Sequence, residues 1–164
     1  MSARPRPSKI EAARRIVANK LRTLPFFCKE QVLEHKAGNI ESMFDELLAK
    51  SDFVVMVGIE TAKESGSQSR TIFWEEVRLF IHVVESPLHI MEQEQEEIEG
   101  PLPGAWAYAE EIVAALKLTA LENDIFPELD ETPLQELPAA QEGSLIVGMK
   151  LKLRFEGNSR STTN

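Results

Sequence analysis

The sequence predicts an α+β fold, an antiparallel sheet with a long β-hairpin, covered on one face by an N-terminal helix and a helix from the C-terminal half. Three observations predict it. Residues 8–24 and 105–120 each repeat apolar side chains at helical spacing. Residues 53–59 and 72–84 are rich in β-branched and aromatic residues and flank a polar Gly/Ser stretch. Residues 145–155 alternate apolar and basic with a period of two. The chain has 164 residues, a length that fits a single domain over 1–164. An ordered core is expected over about 8–156, with disordered tails at 1–7 and 157–164.

In chain order, Ser8 reads as a helix N-cap, with Glu11 three residues on in the capping-box pattern. Ile10, Ala13, Val17, Leu21 and Leu24 form the apolar stripe of this helix, and Arg14, Arg15, Lys20 and Arg22 lie off it. Leu24-Pro25 ends it, because the residue before proline is pushed out of the α region. Gln31 to His35 reads as a short edge strand. Asn39 reads as the cap of a second, short helix carrying Ile40, Met43, Phe44, Leu47 and Leu48.

Phe53 to Ile59 is the strongest β signal, and Ile72 to Val84 is the second. The connection Lys63 to Arg70 is polar and contains Gly66 with three serines, so it reads as flexible. On the second strand Phe73, Val77, Leu79, Ile81 and Val83 share one face. The other face mixes Trp74, Phe80 and Val84 with Glu76, Arg78 and His82, a pattern suited to cover by a neighbouring subunit. Ser86-Pro87 stops the strand. Residues 88–103 are acidic and read as one or two loose helical turns or as a loop. Ala105, Ala109, Ile112, Val113, Leu116 and Ala120 line the next helix, residues 122–143 read as a loop with three prolines, and 145–155 closes the sheet.

Charge is unevenly distributed. The net charge is −9, which argues against holding nucleic acid by counterion release. Seven of the 18 basic residues fall in the first 22 positions, whereas 15 of the 27 acids and a single base, Lys117, lie between Glu85 and Glu142. A basic end and an acidic end suit head-to-tail attraction between copies. Against this stands the commoner case, in which both runs are simply solvated.

Catalytic motifs are absent from the sequence. There is no Gly-x-Gly-x-x-Gly, P-loop or Gly-x-Ser-x-Gly pattern. His35, His82 and His89 have no metal-ligand spacing, and His82 reads as a half-buried packing residue. His89 reads as solvated beside Glu92 and Glu94. The single cysteine, Cys28, excludes an internal disulfide and reads as a small buried hydrophobe. The acids Glu92, Glu94, Glu96, Glu97 and Glu99 lack the loop spacing of a calcium site. No catalytic, cofactor-binding or metal residue is therefore expected. Trp74 and Trp106 read either as interface anchors or as ordinary core aromatics. No apolar run approaches the roughly 20 residues of a membrane span, and the N-terminus lacks the apolar region of a secretory signal.

The order of these elements resembles the tail-terminator (minor tail protein U-like) family of long-tailed bacteriophages and prophages. The resemblance rests on the amphipathic N-terminal helix, the Phe53–Ile59 strand, the Ser/Gly turn and the strand Thr71 to Val84. The Ala-rich helix 105–120, the acidic loop and the strand Leu145 to Phe155 complete it, so that it covers about residues 8–156. It implies a non-enzymatic virion assembly protein. Such proteins form a ring, typically hexameric, on the head-proximal end of the tail tube, stop its polymerisation and offer the head-joining surface. The partners implied are further copies of the chain, the tail tube protein and a head-completion or connector protein. DNA passes through without specific binding, no membrane or cofactor is involved, and the location is the virion tail, assembled in the host cytoplasm. The interface residues expected are Arg14 and Arg15 on the first helix, Lys63, Glu64 and Arg70 at the hairpin tip, and Trp74, Arg78 and His82 on the second strand. The alternatives are another head–tail joining or neck protein, a soluble ligand- or peptide-binding module, and an enzyme with a dispersed site.

Overall fold

The computed structural model describes residues 3–36, 40–66, 68, 70–95, 103–117, 120–122, 125, 127–129, 134–138 and 143–159. Among them are four helices and a mixed sheet of six strands. In chain order these are α1 (Lys9–Arg22), β1 (Val32–Glu34), α2 (Ile40–Lys50), β2 (Phe53–Glu64), β3 (Thr71–Glu85), α3 (Pro87–Gln95), α4 (Ala105–Leu116), β4 (Glu128–Leu129), β5 (Gln135–Leu137) and β6 (Leu145–Ser159).

Ser8 starts α1, its Oγ accepting the Glu11 N–H at 3.1 Å and satisfying one of the helix's unpaired donors. Lys20 and Arg22 occupy the last turn, where cations suit the helix dipole. Strand order is β1-β2-β3-β6-β4, with β5 also on β6. β2 pairs antiparallel with β3 from Phe53↔Glu85 to Glu64↔Trp74, and β6 lies antiparallel along the other side of β3. β1 runs parallel to β2, Val32↔Val55 to Glu34↔Val57. The sheet is thus mixed rather than purely antiparallel, because the return from β1 to β2 passes through a helix, the crossover that parallel neighbours require.

One face of the sheet holds the main core. Val55, Val57, Val77, Leu79, Ile81, Val83, Val147, Met149, Leu151 and Leu153 pack with Ala13, Val17 and Leu21 of α1 and Ala105, Ala109, Ile112 and Leu116 of α4. The opposite face is not bare. Leu48 of α2 packs on Val54 and Val84, with Leu33, Leu47 and Ile146 around them.

Several sequence expectations are corrected. Lys63 and Glu64 are not part of a loop but paired strand residues, so the connection is only Ser65–Arg70. A bulge between Trp74 and Val77 adds one residue to β3 against β6 and inverts the alternation above it. Trp74 therefore packs against the main core, and Phe73 is exposed, the reverse of a strict two-residue period. Gly157 makes this possible, since a Cβ there would stand 2.6 Å from Trp74 Nε1. Residues 157–159 continue β6 and are not a tail. The stretch 122–143 contains β4 and β5, which borrow hydrogen bonds from β6. α4 ends at Leu116, so Ala120 lies beyond it. Pro87 to Gln95 is helical, while 96–102 and the proposed cap Asn39 lie outside the described residues. Cys28 is exposed, not buried.

Candidate functional site

Three surface regions carry the residues singled out from the sequence. The first is the outer face of β2, β3 and β6. The bulge at Glu60 aside, alternation sends Gly58, Glu76, Arg78, Phe80 and His82 to this face. Gly58 is required here, because a Cβ would overlap the Phe80 ring that lies across β2. The Phe80 and His82 rings sit 4.6 Å apart between centroids, with His35 5.7 Å from Phe80 on the other side. With Glu60, Leu137 and Lys150, Phe80 and His82 line a shallow groove of ≈ 500 Å³. Burial of the imidazole lowers the His82 pKa below 6.5, and the nearby His35 lowers it further. His82 is therefore a half-buried ring whose surroundings favour its neutral form.

Below the groove the face is ionic. Arg78 Nε donates to Glu76 Oε1 at 2.8 Å, Lys152 Nζ stands 3.8 Å from the same carboxylate, and Lys150 Nζ donates to Glu60 at 2.9 Å. The Arg78 hydrogen bond holds the Glu76 carboxyl below its usual range. Desolvation opposes this, and the charges of Arg78, Lys152 and Lys63 assist it. Of the expected interface residues this region brings Lys63, Arg78 and His82 to one face. Arg70 is exposed beyond the hairpin strands, and Glu64 is half-buried opposite Trp74.

The second region is α1, and here one expectation fails. Arg14 is only 5% exposed. Its Nη1 donates to the His35 carbonyl at 2.9 Å and its Nε to Glu34 Oε1 at 3.4 Å. The side chain bends back under the edge strand and fastens α1 to the end of β1, so it is an internal tie and not an interface residue. Its neighbour Arg15 does face outward, 59% exposed, with Nε 3.9 Å from Glu34 Oε2.

The third region was missed from sequence. Glu85, at the end of β3, is 1% exposed. Its Oε1 accepts the Ala105 N–H at 2.9 Å and its Oε2 lies 3.0 Å from His89 Nδ1. Gly104 offers α4 no side-chain cap, so a carboxylate from a distant strand performs that task. His89 is buried rather than solvated. Its ring meets Phe53 at 4.6 Å, and Phe53 meets Tyr108 at 4.2 Å. Burial, with the charges of Asp52 and Glu85, raises the Tyr108 pKa above 10.0. The available signal was Ser86-Pro87, a side-chain cap followed by proline at the first helical position. Ser86 Oγ does accept the His89 N–H, at 3.3 Å. Read as a helix start, it places Glu85 and His89 four residues apart on one side.

Trp106 is partly exposed and its Nε1 donates to Glu136 at 3.0 Å. Among the described residues no group of three or more His, Cys, Asp or Glu side chains is placed to hold a metal ion, and no helix is long and apolar enough to cross a membrane. No protein-family model matches the chain, and no curated protein matches it.

Proposed function

We propose that the protein is a non-enzymatic assembly subunit of the phage tail-terminator kind, which forms a ring on the tail tube and presents the surface that meets the head. The observation that carries this reading is the hairpin and its outer face. β2 and β3 run 12 and 15 residues, and the described side chains of α2 that pack on the outer face, Leu47 and Leu48, do so near Val54 and Val84 at one end. The rest of that face carries half-covered aromatic rings and ion pairs, and Thr61 to Lys63 are exposed. Such a face, polar at its rim with aromatic groups within, suits packing between subunits. A helix, hairpin, helix and closing strand in that order support the same family reading. The net charge of −9 suits a channel through which DNA slides without adhering.

The test is complementation of a tail-terminator-deficient phage, with tail length and head joining scored by electron microscopy. A variant in which residues 66–70 are shortened to Gly-Gly leaves Ser65 bonded to the Phe73 carbonyl and keeps its fold, because loop-closure entropy changes by only about 0.6 kcal/mol per doubling of length. It should fail to cap tails. Tails of normal length that join heads with the trimmed protein remove the hairpin tip from the interface. Failure of the unaltered chain to cap tails removes the reading itself.

The outer-face groove of ≈ 500 Å³ favours a second reading, a module that binds a small ligand or peptide over Phe80 and His82. Chemical-shift changes confined to His82, Gly148 and Lys150 on addition of such a ligand would support it.

A further inference from the structure

Apolar exposure on this chain is not scattered. Among the described residues five large hydrophobic side chains are exposed, and four of them, Phe26, Leu88, Met91 and Trp106, flank one structure, the packed end of the sheet around Glu85. Phe26 meets Tyr108 with ring centroids 6.2 Å apart. Leu88 and Met91 bracket His89, and Trp106 follows the Ala105 N–H that Glu85 accepts. Leu88 is 64% exposed and Met91 55%, and their spacing of three puts both on one side of α3. Exposed apolar residues gathered at one place mark an interaction surface, whereas single ones need no explanation.

The fifth, Phe73, lies at the opposite end of β3. It opens onto a groove of ≈ 430 Å³ between α1 and the bulged end of the sheet. Ala12, Ile16, Phe73 and Phe155 line its floor, and Lys9 and Arg154 stand at its rim with one acid, Glu156. Acidic side chains mark the other end. Asp52 and Glu136 are exposed there, with Lys29 exposed as well and Lys50 bonded to Glu46. α3 itself continues past Met91 with Glu92 and Glu94. An apolar knob in acidic surroundings at one end and an apolar groove with a basic rim at the other are complementary.

We propose that the occupant of the groove is a second copy of this chain, whose α3 seats Leu88 and Met91 between α1 and Phe73. The contact joins different surfaces on the two copies, so it repeats head to tail and closes into a ring or extends as a filament. It deepens the assembly reading, on which its biological role rests. Glu85 supports it indirectly, by holding α3 and the start of α4 in one arrangement.

The experiment uses two full-length variants followed by sedimentation velocity over a concentration series. Leu88→Glu with Met91→Glu spoils the knob. Phe73→Thr with Lys9→Glu spoils the groove. The unaltered chain forms species larger than a dimer, and each variant alone is monomeric, weakened about thirtyfold or more as expected for loss of a central anchor. An equimolar mixture of the two retains one intact knob and one intact groove and sediments as a dimer. Unchanged circular dichroism and melting temperature confirm folding, and Lys9→Glu alone, on an exposed side chain, gives a milder weakening if the double variant is unstable. A groove variant that dimerises alone overturns the proposal, because the knob would then pair with itself. An unaltered chain that is monomeric at the highest attainable concentration, or a mixture that stays monomeric, also overturns it. Head-to-tail association without tail capping leaves this contact standing and removes the tail-terminator reading. Tail capping by the knob variant does the opposite.

Discussion

Removing the guanidinium of Arg14 should destabilise the fold, and the amount follows from its surroundings. Arg14→Met keeps the aliphatic stem against α1 and deletes only the polar head, which separates lost bonding from lost packing. The head donates to a carbonyl at 2.9 Å and to a carboxylate at 3.4 Å. Hydrogen bonds with a charged partner contribute about 1.5–3 kcal/mol. The Glu34 side chain is 11% exposed, and Arg15 is still 3.9 Å away, so the carboxylate left behind is partly compensated. The cost therefore falls below the roughly 3–5 kcal/mol of a fully buried broken pair. We expect about 2–3 kcal/mol from urea unfolding, which for a domain of this size lowers the melting temperature by roughly 5–10 °C. Arg15→Glu, on an exposed side chain, should change stability by about 0.5 kcal/mol or less. Glu34→Gln combined with Arg14→Met should cost less than the two separately, a coupling of about 1 kcal/mol. If Arg14→Met stays within about 0.5 kcal/mol of the parent, or the cycle shows no coupling, the tie between α1 and β1 is not where the reasoning puts it.

Glu85→Ala leaves the Ala105 N–H and the buried His89 ring without their acceptor, so it should cost about 2–4 kcal/mol, with Glu85→Gln intermediate; the urea midpoint measures both. Gly58→Val drives a side chain into the Phe80 ring and should cost roughly 1–3 kcal/mol as overpacking does, with Phe80 and His35 resonances shifting together in NMR spectra. His82 should titrate below 6.5. Because the unfolded chain then binds the proton more readily, this group's contribution is fully present above pH 6.5 and is lost as pH falls from there toward the folded-state pKa. A His82 midpoint at or above 6.5 in a proton NMR titration contradicts the burial argument.

What the sequence made legible was whatever periodicity controls. α1, α4, β2, β3 and β6 each show a repeat that matches the face they bury, and Ser8 and Pro25 bracket the first helix. Periodicity fails where one residue changes the count. The extra residue near Glu76 reverses Trp74 and Phe73, and nothing in the residue types announces it. It fails again where a long side chain leaves its own face. Arg14 projects from beside the apolar stripe, but its reach lets it satisfy the end of β1. The three residues of β1 are too few for a pattern, and their parallel direction depends on what lies between them and β2. Glu85 and His89 escaped because an acidic stretch reads as solvent-facing until a helix start is recognised within it.

The placement of β3 also governs how the chain reaches this structure. Its partner on one side, β2, adjoins it in sequence. Its partner on the other, β6, is the last described element in chain order. During synthesis the hairpin can form while the second edge of β3, with Val77, Leu79, Ile81 and Val83 still uncovered, waits for residues 145–159 to emerge. Contacts this distant in sequence form slowly, and an unpaired apolar strand edge recruits other chains meanwhile. Yield of the native protein should therefore depend on the rate of translation and on temperature more than on its final stability. Premature termination anywhere before β6 leaves a product that aggregates rather than a shorter folded domain.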